Sequence, residues 1–156
     1  MNKYIKGNTF IEVMLAIAII TVILAVISPA VSSFREKQII KNATEEVVNL
    51  LNEARIDTIS AKGGNFYSVR FDSTRAVLFT GSTFVGSDPT NKILTFDEAV
   101  TLPSANISLQ GSGIDIIFDK LTGNVSTYGT ITLELVSNPA IRKIITINKL
   151  GVISAN

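Results

Sequence analysis

The residues Lys6-Gly7-Asn8-Thr9-Phe10-Ile11-Glu12 lead without a break into Val13 to Val31, VMLAIAIITVILAVISPAV, and the reading of this junction decides the fold. Nineteen residues in a row carry no charge. As a helix rising about 1.5 Å per residue they cover roughly 28 Å, close to the ~30 Å hydrocarbon core of a bilayer. The run is long enough to span a membrane. It exceeds the apolar region of a secretory signal peptide, about 7 to 15 residues, although Ala25 to Ala30 imitates a signal-peptidase site. On hydrophobicity alone an ordinary signal anchor is the commonest explanation.

Two residues do not suit a plain anchor. Glu12 follows Phe10 and Ile11 into the apolar segment, where a lone carboxylate costs about 2.5–3.5 kcal/mol at the centre of a membrane helix and less near its end. It either snorkels to the interface or meets a cation that offsets its desolvation. Pro29 removes the backbone donor that would reach Ala25, and its ring clashes with the preceding turn, so a kink is expected there. Membrane helices tolerate proline, and alone it says little. Taken with the short basic leader, Lys3 and Lys6 before Gly7, these residues resemble the class III signal of type IV prepilins and pseudopilins. The pattern is Gly7, one residue, Thr9, an apolar residue, Ile11 and Glu12, running into a hydrophobic helix, with Pro29 22 positions beyond Gly7 where that family often carries proline. The resemblance implies cleavage between Gly7 and Asn8 by a membrane aspartyl prepilin peptidase, then N-methylation of the new terminus on Asn8. Asn8 stands where Phe or Met is usual, and Phe10 where Leu is commoner.

Given such processing, Glu12 acquires a role in filament assembly. The freed Asn8 amine is a cation that a neighbouring subunit's Glu12 attracts, far more strongly in a low-dielectric medium than in water. The costly carboxylate then sets a docking register. Pairing of the amine with the Glu12 of its own chain is the competing explanation.

Beyond the apolar run the helix continues. From Phe34, the positions Ile40, Ala43, Val47, Leu50, Leu51, Ala54 and Thr58 recur at three- or four-residue spacing. Glu36, Lys41, Glu45, Asn49, Asn52, Glu53 and Asp57 take the other sides, as in an amphipathic helix. The heptads are too few and irregular for a coiled-coil tether. Gly63 and Gly64 form the stop, since glycine accepts the left-handed conformation that closes a helix. One helix is expected from about Thr9 to Ala61. After it, Tyr67, Val69 and Phe71 alternate with Ser68 and Arg70 and turn through Asp72-Ser73-Thr74 into Ala76 to Thr80, a hairpin. GSTFVGSDPTN, Gly81 to Asn91, has loop composition. Further strands are expected at Ile93 to Phe96, Ile107 to Gln110, Ile114 to Phe118, Thr130 to Val136 and Lys143 to Asn148. One long helix and several short strands imply an α+β fold, with an antiparallel sheet wrapped against the helix's apolar face.

The C-terminal segment resembles the tail of the GspH/FimT group of minor pseudopilins and minor pilins. The residues concerned are Ile117-Phe118, Asp119 to Gly123, Gly129 to Leu133, Ile144 to Ile147 and Gly151-Val152-Ile153. Most of them are strand-compatible apolar or glycine positions that any antiparallel domain could share.

Composition excludes much chemistry. With no Cys, His or Trp among 156 residues, the chain cannot build thiol or imidazole catalysis, the usual zinc sites, a disulfide or a Ser-His-Asp triad. No cofactor or metal is expected. Asp115 and Asp119 lack the number and spacing of calcium ligands and read as turn formers. Setting Lys3, Lys6 and Glu12 aside from 14 basic and 13 acidic residues leaves 12 of each between Arg35 and Asn156. Nucleic acid needs a cluster of cations. Arg142, Lys143 and Lys149 are near in sequence, but a lysine-protected strand edge explains them better.

The chain therefore reads as a leader, 1–7, an assembly and membrane helix, 8–33, its amphipathic continuation, 34–62, and a β-rich domain, 65–156. The resemblance implies the pilin fold and a non-enzymatic structural subunit, a minor pilin or pseudopilin, single-pass in the cytoplasmic (inner) membrane with its C-terminal domain outside the cytoplasm. Its partners would be prepilin peptidase, other pilin subunits, the inner-membrane assembly platform and membrane lipid. A major pilin, a tip adhesin, a DNA-uptake pilin and a plain membrane-anchored binding domain are the alternatives.

Overall fold

Helix α1, Phe10–Ile59, begins where the Thr9 carbonyl accepts the N–H groups of Glu12 at 3.0 Å and Val13 at 3.2 Å. The computed structural model describes residues 9–111 and 114–156, with backbone only for 26–30. Its contacts fall into two units, one up to Glu36 and one from Lys37 onward.

Between Phe10 and Ala25, Glu12 aside, α1 is apolar on every side. Phe10, Ile11, Met14, Leu15, Ile17, Val22 and Leu24 are all more than half exposed. The Thr21 hydroxyl donates to the Ile17 carbonyl at 2.8 Å and so stays satisfied without water. Among the described residues no helix is long and apolar enough to cross a membrane. Within Val13 to Val31, described side chains end at Ala25 and resume at Val31, so that run is not covered in one piece.

In the second unit α1 has one buried stripe. Ile40, Ala43, Val47, Leu50, Leu51, Ala54 and Thr58 are no more than 5% exposed, the residues that the periodicity selects. Nine strands follow among the described residues: β1 Tyr67–Asp72, β2 Arg75–Thr80, β3 Lys92–Thr95, β4 Val100–Thr101, β5 Ile107–Gln110, β6 Asp115–Ile117, β7 Tyr128–Leu135, β8 Arg142–Ile147 and β9 Ile153–Ala155. They form two sheets where the sequence suggested one. The first has the order β3-β2-β1-β6; in the second, β4-β7-β8-β9, β5 also pairs with β7, and every pairing is antiparallel. Val69, Phe71, Ala76, Leu78 and Ile116 of one sheet share a core with Ile131, Leu133, Leu135, Ile145 and Ile147 of the other and with the α1 stripe. This is an α+β fold, an N-terminal helix packed on antiparallel sheets, consistent with the pilin fold. Burial of each large aliphatic side chain contributes about 1.5–3 kcal/mol.

Backbone hydrogen bonds join the layers. The Ser73 and Thr74 carbonyls, in the turn between β1 and β2, accept the N–H groups of Leu102 and Phe96, each at 2.9 Å. That turn of the first sheet thus holds the chain just after β4, which belongs to the second. The Thr58 hydroxyl, at an apolar position of the helix repeat, accepts the Tyr67 N–H at 2.8 Å and ties the start of β1 to α1.

The helix stops earlier than its glycines suggest. Ala61 takes the left-handed conformation, φ 48° and ψ 40°, at a cost of about 1–2 kcal/mol for a residue with a Cβ. Its carbonyl accepts the Gly64 N–H at 2.8 Å, and Gly63 and Gly64 continue the reversal at φ 61° and 74°. Two later glycines are fixed by close approach. A Cβ on Gly151, φ 70°, would overlap the Gly123 carbonyl oxygen, and one on Gly129 would overlap the Ser108 carbonyl oxygen across the β5–β7 pair.

Candidate functional site

The described residues of the second unit contain well-built polar contacts. Arg70 on β1 donates from Nε to Asp115 Oδ1 and from Nη2 to Oδ2, both at 2.7 Å. The hydrogen bond to Asp115 raises the Arg70 guanidinium above its ordinary value, against the opposing effect of burial. Arg70 also lies 4.5 Å from the ring centroid of Phe84, which meets Phe79 edge-to-face at 5.3 Å. The Gly81 to Asn91 loop is thus folded back over the first sheet. Asp115 is therefore a strand residue in an ion pair, not a turn former. Asp119 is one: its carbonyl accepts the Gly123 N–H at 2.9 Å. Among the described residues no group of carboxylates is arranged to hold a metal ion.

The three basic residues grouped by sequence are separated in space. Arg142 and Lys143 open β8 whereas Lys149 lies past its other end. The strand-edge reading needs correcting as well. β8 is flanked by β7 and β9, and only its first three residues extend beyond the pairing with β9, which begins at Ile145.

Glu12 is the residue that stands apart. It occupies the first turn of α1, where free backbone N–H groups and the helix dipole favour a carboxylate by about 0.3–1 kcal/mol. Its side chain is exposed among the exposed Phe10, Ile11, Val13 and Leu15, and among the described residues it forms no ion pair. Thr9 and Glu12 also have the spacing of a capping box, Thr-x-x-Glu. The sequence held that second signal, and the structure places the Glu12 N–H on the Thr9 backbone carbonyl. A charge on an apolar, unpartnered helix, next to the helix start, is an arrangement suited to recognition rather than catalysis.

Residues 2–28 match the prokaryotic N-terminal methylation motif. The motif supports a type IV pilin-like class, and it takes in Gly7, Asn8 and Glu12, while Pro29 lies one residue past the matched segment. Comparison with characterised proteins and with solved structures gave no match. Gly7 and Asn8 lie outside the described residues. The backbone at Pro29 is helical, and its side chain lies outside the described residues.

Proposed function

We propose that the chain is a structural subunit, not an enzyme: a minor pilin or pseudopilin, close to the GspH/FimT group, of a type IV pilus or type II secretion pseudopilus. The observation that carries this is a coincidence. The methylation motif leads into a helix whose described side chains before Val26 are exposed and, apart from Glu12, uncharged. A helix apolar on all sides is stable only in lipid or against other apolar helices, the two environments such a subunit meets in turn.

In this reading residues 1–7 are the leader, prepilin peptidase cuts between Gly7 and Asn8, and Asn8 is N-methylated. Residues 8–33 cross the cytoplasmic membrane once and later enter the filament. Residues 34–62 and 65–156 form the exported part, delivered by the inner-membrane assembly platform. Pro29 supplies a kink at the lost bond to Ala25, and Glu12 pairs with a neighbour's Asn8 amine.

Mass spectrometry of the membrane-extracted protein tests the processing: the mature chain should start at Asn8, and an intact leader or another start would sink the assignment. For Glu12, two variants separate charge from capping. Glu12→Gln keeps a hydrogen-bonding group at the capping position and Glu12→Val removes it, yet both should leave the processed protein in the membrane and deplete it from sheared filaments. Normal filament entry of processed Glu12→Gln would show that the charge is not what recruits the subunit.

A further inference from the structure

Lys37 and Lys41 of α1 and Arg142 and Lys143 of β8 line one cavity of about 480 Å³, with Ile40, Ala140 and Ile141 as its apolar lining. No carboxylate lines it, although Lys41 and Lys143 also line a second cavity together with Glu45 and Asn156. Lys37, Arg142 and Lys143 form no ion pair among the described residues. Lys41 reaches Glu45 only at 3.8 Å, with both side chains more than half exposed. Glu134 stands opposite Arg142 in register but accepts a hydrogen bond from Asn106 at 2.7 Å. The cavity is held open by the β7–β8 loop, where the Ile141 N–H reaches the Asn138 carbonyl and the Ile141 carbonyl takes the Leu135 N–H. Zero net charge over the exported part conceals this local surplus.

Chain connectivity indicates what the surplus faces. Lys37 is six residues past Val31, about 9 Å along α1 from the end of the apolar run. Lysine and arginine so close to a bilayer are attracted by anionic headgroups within roughly a Debye length, about 8–10 Å. We propose that Lys37, Lys41, Arg142 and Lys143 form a docking surface for anionic phospholipid headgroups, holding the globular unit against the membrane until a filament takes it up. This rests on the reading of Val13 to Val31 as a membrane span. Chain length brings Lys37 to the interface with Lys41 about one helical turn beyond it, and the β7–β8 loop adds two cations from the far end of the sequence, so the surface exists only in the folded domain.

The test uses the full chain reconstituted into phosphatidylcholine vesicles with or without phosphatidylglycerol. Because the protein has no cysteine, single nitroxide labels can be placed at Ala140→Cys, beside the cavity, and at Leu15→Cys, in the apolar run. The Ala140 label should be shielded from an aqueous relaxation agent only in vesicles containing phosphatidylglycerol, and raised salt should expose it. Arg142→Gln with Lys143→Gln should release it, as should Lys37→Gln with Lys41→Gln should the first pair disturb β8. Each lost cation should lower the docked-to-free ratio about fivefold. Equal exposure of the Ala140 label in both vesicle types, with the Leu15 label in lipid, overturns the docking surface and leaves the membrane span standing. A Leu15 label in water overturns the span and the docking surface with it. Shielding that depends on protein concentration and not on phosphatidylglycerol would mean that the patch receives an acidic protein surface, and the lipid proposal is wrong.

Discussion

The two parts of α1 differ in what their hydrophobicity is for. Between Phe10 and Ala25 the side chains, nearly all apolar, are exposed in every direction, whereas from Lys37 to Ile59 most apolar side chains gather in a buried stripe, with Ile56 and Ile59 left exposed. Each part solves the same problem, removal of apolar surface from water, but only the second solves it within its own chain. A helix of one kind announces a fold; a helix of the other kind announces a partner or a solvent outside it.

Matched substitutions are the strongest way to break this contrast. Leu51→Ala empties a fully buried position in the second unit and should cost about 3 kcal/mol in its unfolding. Leu15→Ala, of identical chemistry at an exposed position, should leave that unfolding unchanged. Denaturant unfolding of both variants in detergent decides, and equal losses would erase the distinction between the two parts.

Next in size is Gly151→Ala. The new methyl would overlap the Gly123 carbonyl in a backbone at φ 70°, and a loss of about 2 kcal/mol is expected from conformational strain alone; an unchanged melting temperature would show that the loop simply moves aside. Asp115→Asn should cost about 1–2 kcal/mol. Arg70 would keep a hydrogen-bonding partner but lose the opposite charge in a half-buried position. Release of Phe84 from Arg70, seen as a change in its ring signals by NMR, should accompany it.

The smallest effect concerns pH. Asp88 accepts the Thr90 N–H at 2.9 Å and the Thr90 hydroxyl at 2.7 Å, and these bonds hold its carboxyl below the ordinary value of 3.8. A group with a lowered value in the folded state contributes its stabilisation above the unfolded value and loses it as pH falls through the folded one. Below pH 3.8, therefore, the Thr90 amide should lose its hydrogen-bonded chemical shift while the sheets stay intact. A Thr90 signal that holds its shift down to strongly acid pH would remove the carboxylate from any role in shaping the loop.

How far the sequence could be read follows from the range of the interactions involved. The α1 stripe was readable to the residue because helix periodicity is local, and β1, β2 and β5 came within a residue or two because alternation and turn residues are local as well. Strands β4 and β9, of two and three residues, are too short to show a period. The strand expected from Thr130 starts two residues late because glycine weakens a strand pattern, yet β7 begins at Tyr128 and Gly129 admits the Ser108 carbonyl. The Arg70–Asp115 pair joins residues 45 apart, which no spacing reveals. The same is true of the four cations brought together from α1 and β8. At the candidate site, Gly7, Asn8 and Glu12 were readable because the motif is a contiguous string, and the capping-box spacing of Thr9 and Glu12 was equally visible but overshadowed by the cost of a carboxylate in lipid.

The turn between β1 and β2 has a bearing on how the protein opens. With the Ser73 and Thr74 carbonyls committed to Leu102 and Phe96, peeling β4 from β7 strips a bond from the first sheet, and lifting the hairpin uncovers amides next to the second. Neither sheet breathes as a private event. Amide exchange at Phe96 and Leu102 is then gated by the opening of the whole domain, which makes two short, peripheral segments reporters of its global cooperativity.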